Sequence, residues 1–414
     1  MNSHQIVIRS TLLLCLLALV ETLFASPLAA QVFNSGPSDS TLFDSVINVP
    51  TNPDIGNPQN IGFSGLPAQL NISVGGSIGN NFAAFVSEVN ISGGNVGDSF
   101  SANESEANIS GGNIGDSFTA FSGSVINISG GSIGNDFELD TNSEVNISGG
   151  SVGDDFRAFS DSKVNISGGS VGNNFEARSV TEINISGGNV GNEFLALASE
   201  VNINGGNVGG SGVIFGSEIN ISDGNVGNDF RLFGTEANIS GGNVGDRFSV
   251  SSGSVANISG GSVGDDFEAD VGSVINISGG SLGNGFEALN ASEVNISGGS
   301  VGDNFRLLSG GELNLFGSEF LLDGQPLDSL TIDEAFTIDI RNQVLSGLFV
   351  DGSAFSFDLN SDLDFTLSND FFSSDATLTV TQVSAVPEPG SLMILGLGGV
   401  ILSARRRKTC VVAV

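Results

Sequence analysis

Apolar and polar residues alternate in short runs along most of this chain. In Val145-Asn146-Ile147-Ser148, the two apolar residues fall on one side of an extended backbone and the two polar residues on the other. Alternation with a period of two and with β-branched residues is typical of a half-buried β-strand. The stretch therefore predicts a short strand that packs Val145 and Ile147 inward.

The residues after this strand predict two turns and two more short apolar faces. Gly149–Gly150 turns the chain, because glycine tolerates a positive φ, and Val152 then points inward again. Gly153–Asp155 makes a second turn, and Phe156 and Ala158 form the third inward face. Three very short strands are thus predicted within fewer than twenty residues.

This pattern is an internal repeat. The asparagine of Asn-Ile-Ser serves as its marker, and the spacing between markers is 18 or 19 residues in about 13 full units. A degraded copy follows at Asn314. The markers are Asn71, Asn90, Asn108, Asn127, Asn146, Asn165, Asn184, Asn202, Asn220, Asn238, Asn257, Asn276 and Asn295.

One unit is too small to bury a core, but stacked units share one. Equivalent residues would then lie about 4.8 Å apart in columns, which predicts an all-β parallel β-solenoid of about 13 coils, roughly 60 Å long. A right-handed coil is favoured by the general crossover preference. A run of antiparallel hairpins is the alternative, although identical columns require parallel register. The predicted phenylalanine column is Phe82, Phe100, Phe118, Phe137, Phe156, Phe175, Phe194, Phe230, Phe248, Phe267, Phe286 and Phe305.

The repeat sets the expected domain boundaries. Residues 31–65 are rich in Ser, Pro, Asn and Gly and are predicted to lead into a solenoid over 66–311. Residues 312–384 contain longer strand-like runs broken by Asp-Gly and Asn-Ser turns, and we expect them to cap the open end of the core. The unit at Asn202 lacks the phenylalanine and carries Gly210-Ser211-Gly212 instead, which predicts a local irregularity.

Residues 1–30 have the features of a secretory signal peptide. Arg9 precedes the apolar run Leu12–Val20, which is too short to span a bilayer, and Ala29–Ala30 offers a cleavage site for signal peptidase. An uncleaved N-terminal anchor is the alternative.

Residues 385–414 carry a second sorting pattern. Pro387, Glu388 and Pro389 precede an apolar run from Leu392 to Leu402, which predicts a short hydrophobic helix, and the basic cluster consists of Arg405, Arg406, Arg407 and Lys408. The tail resembles the PEP-CTERM sorting signal of bacterial exported proteins. That resemblance implies transient membrane association and processing by an exosortase. An ordinary C-terminal tail anchor is the alternative.

Composition narrows the chemistry of the body. Residues 31–385 hold 44 acids and seven bases, a net charge of −37, which argues against nucleic acid as a partner. They contain no His, Cys, Trp or Tyr. Ser-His and Cys-His nucleophilic sites and zinc sites of the usual kind therefore cannot be assembled from these residues. We expect no enzymatic activity, no cofactor and no metal site, because an active site should interrupt the repeat and this repeat is nearly uninterrupted.

The acidic residues fall in two columns. One follows the glycine of the second turn and mixes Asp with Asn, as at Asp154 and Asn173; the other precedes the apolar strand residue, as at Glu182. Turn formation and solvation explain both columns, and divalent cation binding is the alternative.

The sequence thus predicts an exported structural or adhesive protein of the cell envelope or exopolysaccharide. Extracellular polysaccharide is its possible partner. The alternative is a polysaccharide-binding or carbohydrate-active β-helix.

Overall fold

The computed structural model describes short strands between residues 41 and 61, and then residues 68–384 apart from 252, 329 and 362–369. These residues form parallel strands wound into stacked coils, so the predicted all-β parallel solenoid of about 13 coils is confirmed. No helix occurs among the described residues. The predicted C-terminal helix lies outside them, and the handedness stays a prediction.

Each coil contributes strands to three faces. The first face carries the Asn-Ile segments, and in many coils one nine-residue strand such as Glu182–Val190 continues through the Gly-Gly pair with a shift in register. The strands that begin on this face are Val46–Val49, Gln69–Ile72, Glu88–Val96, Glu106–Ile114, Val125–Ile133, Glu144–Ile147, Lys163–Ile166, Glu182–Val190, Glu200–Val208, Glu218–Val226, Glu236–Ile239, Val255–Ile258, Val274–Leu282, Glu293–Ser300 and Glu312–Leu322.

Where the Gly-Gly pair does separate two strands, the second face has short strands of its own. These are Ser77–Ile78, Ser151–Val152, Ser170–Val171, Asn243–Val244 and Ser262–Val263, and Asp54–Ile55 lies on the same face without a Gly-Gly pair before it.

The third face is a separate parallel sheet, which we call the phenylalanine-side sheet because each of its strands in the regular repeat follows the core phenylalanine. Its strands are Thr41–Leu42, Asn60–Ile61, Ala83–Phe85, Ser101–Asn103, Thr119–Phe121, Glu138–Leu139, Arg157–Ala158, Glu176–Arg178, Leu195–Leu197, Val213–Phe215, Arg231–Phe233, Ser249–Ser251, Glu268–Ala269, Glu287–Ala288, Arg306–Leu307 and Phe371–Phe372.

The core is built from columns of inward residues at equivalent positions of successive coils. Phe156 is fully buried, and its ring centroid lies 4.9 Å from that of Phe137 and 4.7 Å from that of Phe175. Ile147 is also buried, at 1% exposure. The ring spacing matches the distance between hydrogen-bonded strands, so backbone pairing and side-chain stacking reinforce each other.

The irregular coil differs in its side chains and not in its backbone. Strand pairing continues without a break from Leu195–Leu197 through Val213–Phe215. A Cβ on Gly212 would lie 2.0 Å from the ring of Phe230, so that ring occupies the space of the missing phenylalanine.

The core residue two positions after the phenylalanine forms a second column, which is larger where the phenylalanine is missing. It holds alanine in most coils, yet Ile214, Leu232 and Val250 replace alanine in the irregular coil and the next two, and all three are fully buried. These three larger side chains thus supply apolar volume beside the missing phenylalanine.

The region predicted as a leader contributes strands to the stack. Val46–Val49 pairs in parallel with Gln69–Ile72, and Asn60–Ile61 pairs with Ala83–Ala84. Strand pairing thus begins before residue 66.

Residues 312–384 combine parallel and antiparallel strands at the end of the solenoid. Glu312–Leu322 lies parallel to Thr377–Gln382 and antiparallel to Val344–Phe349. The other strands are Gln325–Pro326, Ala335–Thr337 and Ala354–Asp358. The rings of Phe357 and Phe372 lie 5.3 and 5.6 Å from that of Phe305, the last of the core column, so this segment covers the end of the core.

Candidate functional site

The outward asparagines form a continuous ladder of side-chain hydrogen bonds. Each amide Nδ2 donates to the Oδ1 of the asparagine one coil earlier, from Asn90 to Asn71 through Asn314 to Asn295, at 2.8–3.1 Å. The Thr379 hydroxyl donates to the Oδ1 of Asn314 at 2.6 Å and ends the series. These asparagines, which the sequence placed simply outward, fasten consecutive coils together.

The mixed Asp/Asn column has a different task. In most coils the side-chain Oδ1 of this residue accepts a hydrogen bond from the backbone N–H of the equivalent residue in the next coil. The N–H of Asn173 donates to Asp154 at 2.7 Å, and the N–H of Gly210 donates to Asn192 at 2.9 Å. Aspartate and asparagine supply this acceptor equally well, which explains why they interchange. Gly210 has no side-chain oxygen and interrupts the series.

Replacing asparagine by aspartate should have different effects on stability in these two columns. Asn146 both donates and accepts, so Asn146→Asp should raise the free energy of folding by about 1–3 kcal/mol, because it removes a donor and sets two oxygens against each other. Asn192→Asp keeps the only side-chain oxygen that the turn needs and should change stability by less than about 0.5 kcal/mol.

Urea unfolding followed by far-UV circular dichroism suits this comparison, since the chain has no Trp or Tyr for fluorescence. Equal shifts of the two midpoints would contradict the roles assigned to the two columns.

A buried column of Ser and Thr hydroxyls lies at the turn between each phenylalanine-side strand and the next Asn-Ile strand. This column was not predicted from the sequence. Ser124 and Ser143 are at most 1% exposed, and the Ser143 hydroxyl accepts the Ser124 backbone N–H at 3.2 Å. The Ser124 hydroxyl in turn donates to the Phe121 carbonyl at 2.8 Å. Ser or Thr stands at this position in nearly every unit, and that uniformity was the available signal.

The glutamate column lies in register on the first face. The pairs Glu182–Glu200, Glu200–Glu218 and Glu218–Glu236 are adjacent in the sheet. The asparagine ladder relieves part of the repulsion, since Asn184 donates to Glu182 at 2.7 Å. Lys163 also lies 2.8 Å from Glu182, and its hydrogen bond lowers the pKa of that carboxyl.

The described part of the chain contains no group of three or more His, Cys, Asp or Glu residues arranged to hold a metal ion. Most of the basic residues in the body are engaged with acids. Arg157 pairs with Asp136, Arg178 with Glu176, Arg306 with Glu287, and Arg247 with Asp229.

One carboxyl joins the solenoid to the C-terminal segment. Asp370 accepts the backbone N–H of Phe305 at 2.8 Å and that of Asp358 at 3.0 Å. Burial raises the pKa of Asp370 to about 6, against the opposing effect of these two hydrogen bonds.

This raised pKa predicts a pH dependence of stability. The folded state binds the Asp370 proton more tightly than the unfolded state, so the stabilisation is complete below about pH 4 and is lost as the pH rises through 6. The melting temperature should therefore fall between pH 4 and pH 7 by more in the wild type than in Asp370→Asn. Parallel pH profiles of the two proteins would contradict the assignment to Asp370.

The residues of the predicted sorting motif, Pro387, Glu388, Pro389, Arg405, Arg406 and Arg407, lie outside the described residues. The family model for the PEP-CTERM protein-sorting motif matches residues 385–408. No curated protein and no solved structure matches the chain.

The chain thus combines a β-solenoid body with a PEP-CTERM sorting motif, as the sequence predicted. The motif marks an exported protein that an exosortase sorts at the cell envelope. Among the described residues, no helix has the length and apolar character to cross a membrane.

Proposed function

We propose that this protein is a non-enzymatic rod with a structural or adhesive role, held at the cell surface or in the exopolysaccharide. The observation that carries the proposal is the asparagine ladder, which runs without interruption from Asn71 to Asn314. A rigid, uniform stack suits a spacer or scaffold. An enzyme of this architecture would need a cleft built by long loops between coils, and coils of 18 or 19 residues leave little chain for such loops.

Export and sorting complete the proposal. Signal peptidase removes residues 1–30, the tail holds the chain at the membrane for a time, and the exosortase then cuts near Pro387–Pro389. The acidic body keeps neighbouring rods apart by charge repulsion, which suits an extended display at the surface.

Processing in the native host tests the sorting step. Mass spectrometry of the extracted wild-type protein should find no peptide that covers Arg405–Lys408. A variant with Pro387, Glu388 and Pro389 replaced by alanine should keep this segment and remain in the membrane fraction. Intact C-terminal peptides on the bulk of the wild-type protein would indicate a permanent tail anchor instead.

The non-enzymatic role needs a separate test. Cells that lack the chain should lose surface adhesion or matrix cohesion, and variants of surface carboxylates such as Glu236→Gln should restore it fully. Release of reducing ends from a soluble polysaccharide by the purified protein, abolished by such a variant, would overturn the proposal in favour of a carbohydrate-active enzyme.

A further inference from the structure

A trench crosses the outward surface of the phenylalanine-side sheet. Its floor is the strand Ser249–Ser251, whose outward residues are small, while the coil before it presents Arg231 and Phe233 in register. On the other side, Glu268 stands in register with Ser249. The trench has a volume of about 580 Å³, which is within the usual size of ligand sites.

The trench exists because one coil carries serine at both outward positions, Ser249 and Ser251, between coils that carry long side chains there. At the equivalent positions of an ordinary coil, Arg157 is followed in register by Glu176, and the long side chains fill the surface. In the trench, the hydroxyls of Ser249 and Ser251 lie 3.2 Å apart, between walls that are two strand spacings, about 10 Å, apart.

The walls offer both hydrogen-bond donors and acceptors. Arg231 is exposed, and among the described residues it has neither an ion-pair partner nor a hydrogen-bond partner, unlike Arg247, which is bidentate with Asp229 at 2.6 and 2.8 Å. Opposite Arg231, burial and the neighbouring charges of Asp270 and Glu287 raise the pKa of Glu268.

An aromatic surface adjoins these polar groups. Phe233 lines the trench, and the ring of Phe215, 57% exposed, lies 6.5 Å from it in the preceding coil. Exposed aromatic rings beside mixed donors and acceptors match the chemistry of a pyranose, which has apolar C–H faces and a rim of hydroxyls.

We propose that this trench binds a neutral polysaccharide. An anionic polymer is disfavoured, because five carboxylates line the trench against two guanidinium groups, and the rest of the body is acidic as well. Carboxylates and guanidinium groups together accept from and donate to sugar hydroxyls, while Phe233 and Phe215 contact the ring faces. The proposal does not depend on the role of the protein as a rod.

Affinity electrophoresis of the full-length chain tests this site. The gels contain hydroxyethylcellulose, laminarin, galactomannan or arabinoxylan as neutral probes, and polygalacturonate as the anionic probe. At least one neutral polysaccharide should retard the chain, and Phe233→Ala, Arg231→Ala and Ser249→Glu should each weaken that retardation at least tenfold. Ser249→Glu fills the floor as Glu176 fills it in the ordinary coil.

Arg157→Ala and Phe159→Ala are the matched controls, since they occupy the equivalent positions of a coil without a trench, and both should bind as the wild type does. Melting temperatures measured in parallel show that each trench variant is folded. The proposal is overturned if no neutral probe retards the chain, if folded trench variants bind like the controls, or if polygalacturonate is bound most tightly.

Discussion

Replacing Phe156 by alanine should destabilise the solenoid by about 3–5 kcal/mol, one of the largest effects of any single side chain. The ring is fully buried and is stacked between Phe137 and Phe175. Its removal leaves a cavity, because the neighbouring core column holds only alanine here, at Ala158 and Ala177, and not the larger residues of the irregular coil. The expected result is a large fall in the urea midpoint followed by far-UV circular dichroism.

Phe159→Ala is the matched control within the same coil. Phe159 lies three residues further on, points outward and is only half-buried, so its loss should cost less than about 1.5 kcal/mol. Similar midpoints for the two variants would show that the inward and outward assignments are wrong.

Gly150→Ala should destabilise the protein by at least about 3 kcal/mol. Gly150 has a φ of +73°, and a Cβ there would lie 2.7 Å from the carbonyl oxygen of Gly131 in the coil before. The substitution therefore adds a clash with backbone to the strain of a left-handed conformation. The coils have to move apart locally to relieve it, at the expense of the hydrogen bonds between them.

Gly123→Ala separates these two contributions. Gly123 has a similar φ of +77°, but no atom lies within 4 Å of its Cβ position. Its replacement should cost only the conformational strain, about 1–2 kcal/mol. If thermal and urea unfolding show equal losses for both variants, close approach of the coils is not what requires glycine at position 150.

The coil architecture and its core could be predicted from the sequence. Period-two alternation placed Ile147 inside, and the 18- or 19-residue spacing placed Phe156 in a column. These inferences succeed because burial of apolar residues is dictated locally and then repeated in every coil.

What each polar column does could not be predicted in the same way. Asn146 and Asn192 are both polar turn or strand-face residues in the sequence, yet Asn146 needs its amide hydrogen and Asn192 needs only its oxygen. Asp155 adopts a φ of +60° where glycine is the more usual residue. Such roles depend on the coil above and the coil below, and they appear only when the coils are stacked.

The trench was missed for a related reason. Ser249 and Ser251 are unremarkable in a serine-rich chain, and their small size matters only because Arg231 and Glu268 flank them in space. Comparing the outward residues of successive units position by position would have revealed the gap.

The asparagine ladder also makes the coils interchangeable. If residues 144–162 were excised, Asn127 would meet Asn165 and Phe137 would meet Phe175, so the asparagine ladder and the phenylalanine column would keep the partner types that they have now. The rod would shorten by one strand spacing, about 4.8 Å, with no new kind of contact. The length of the molecule can therefore change in whole steps through gain or loss of repeats in the gene, while each intermediate length remains a folded protein.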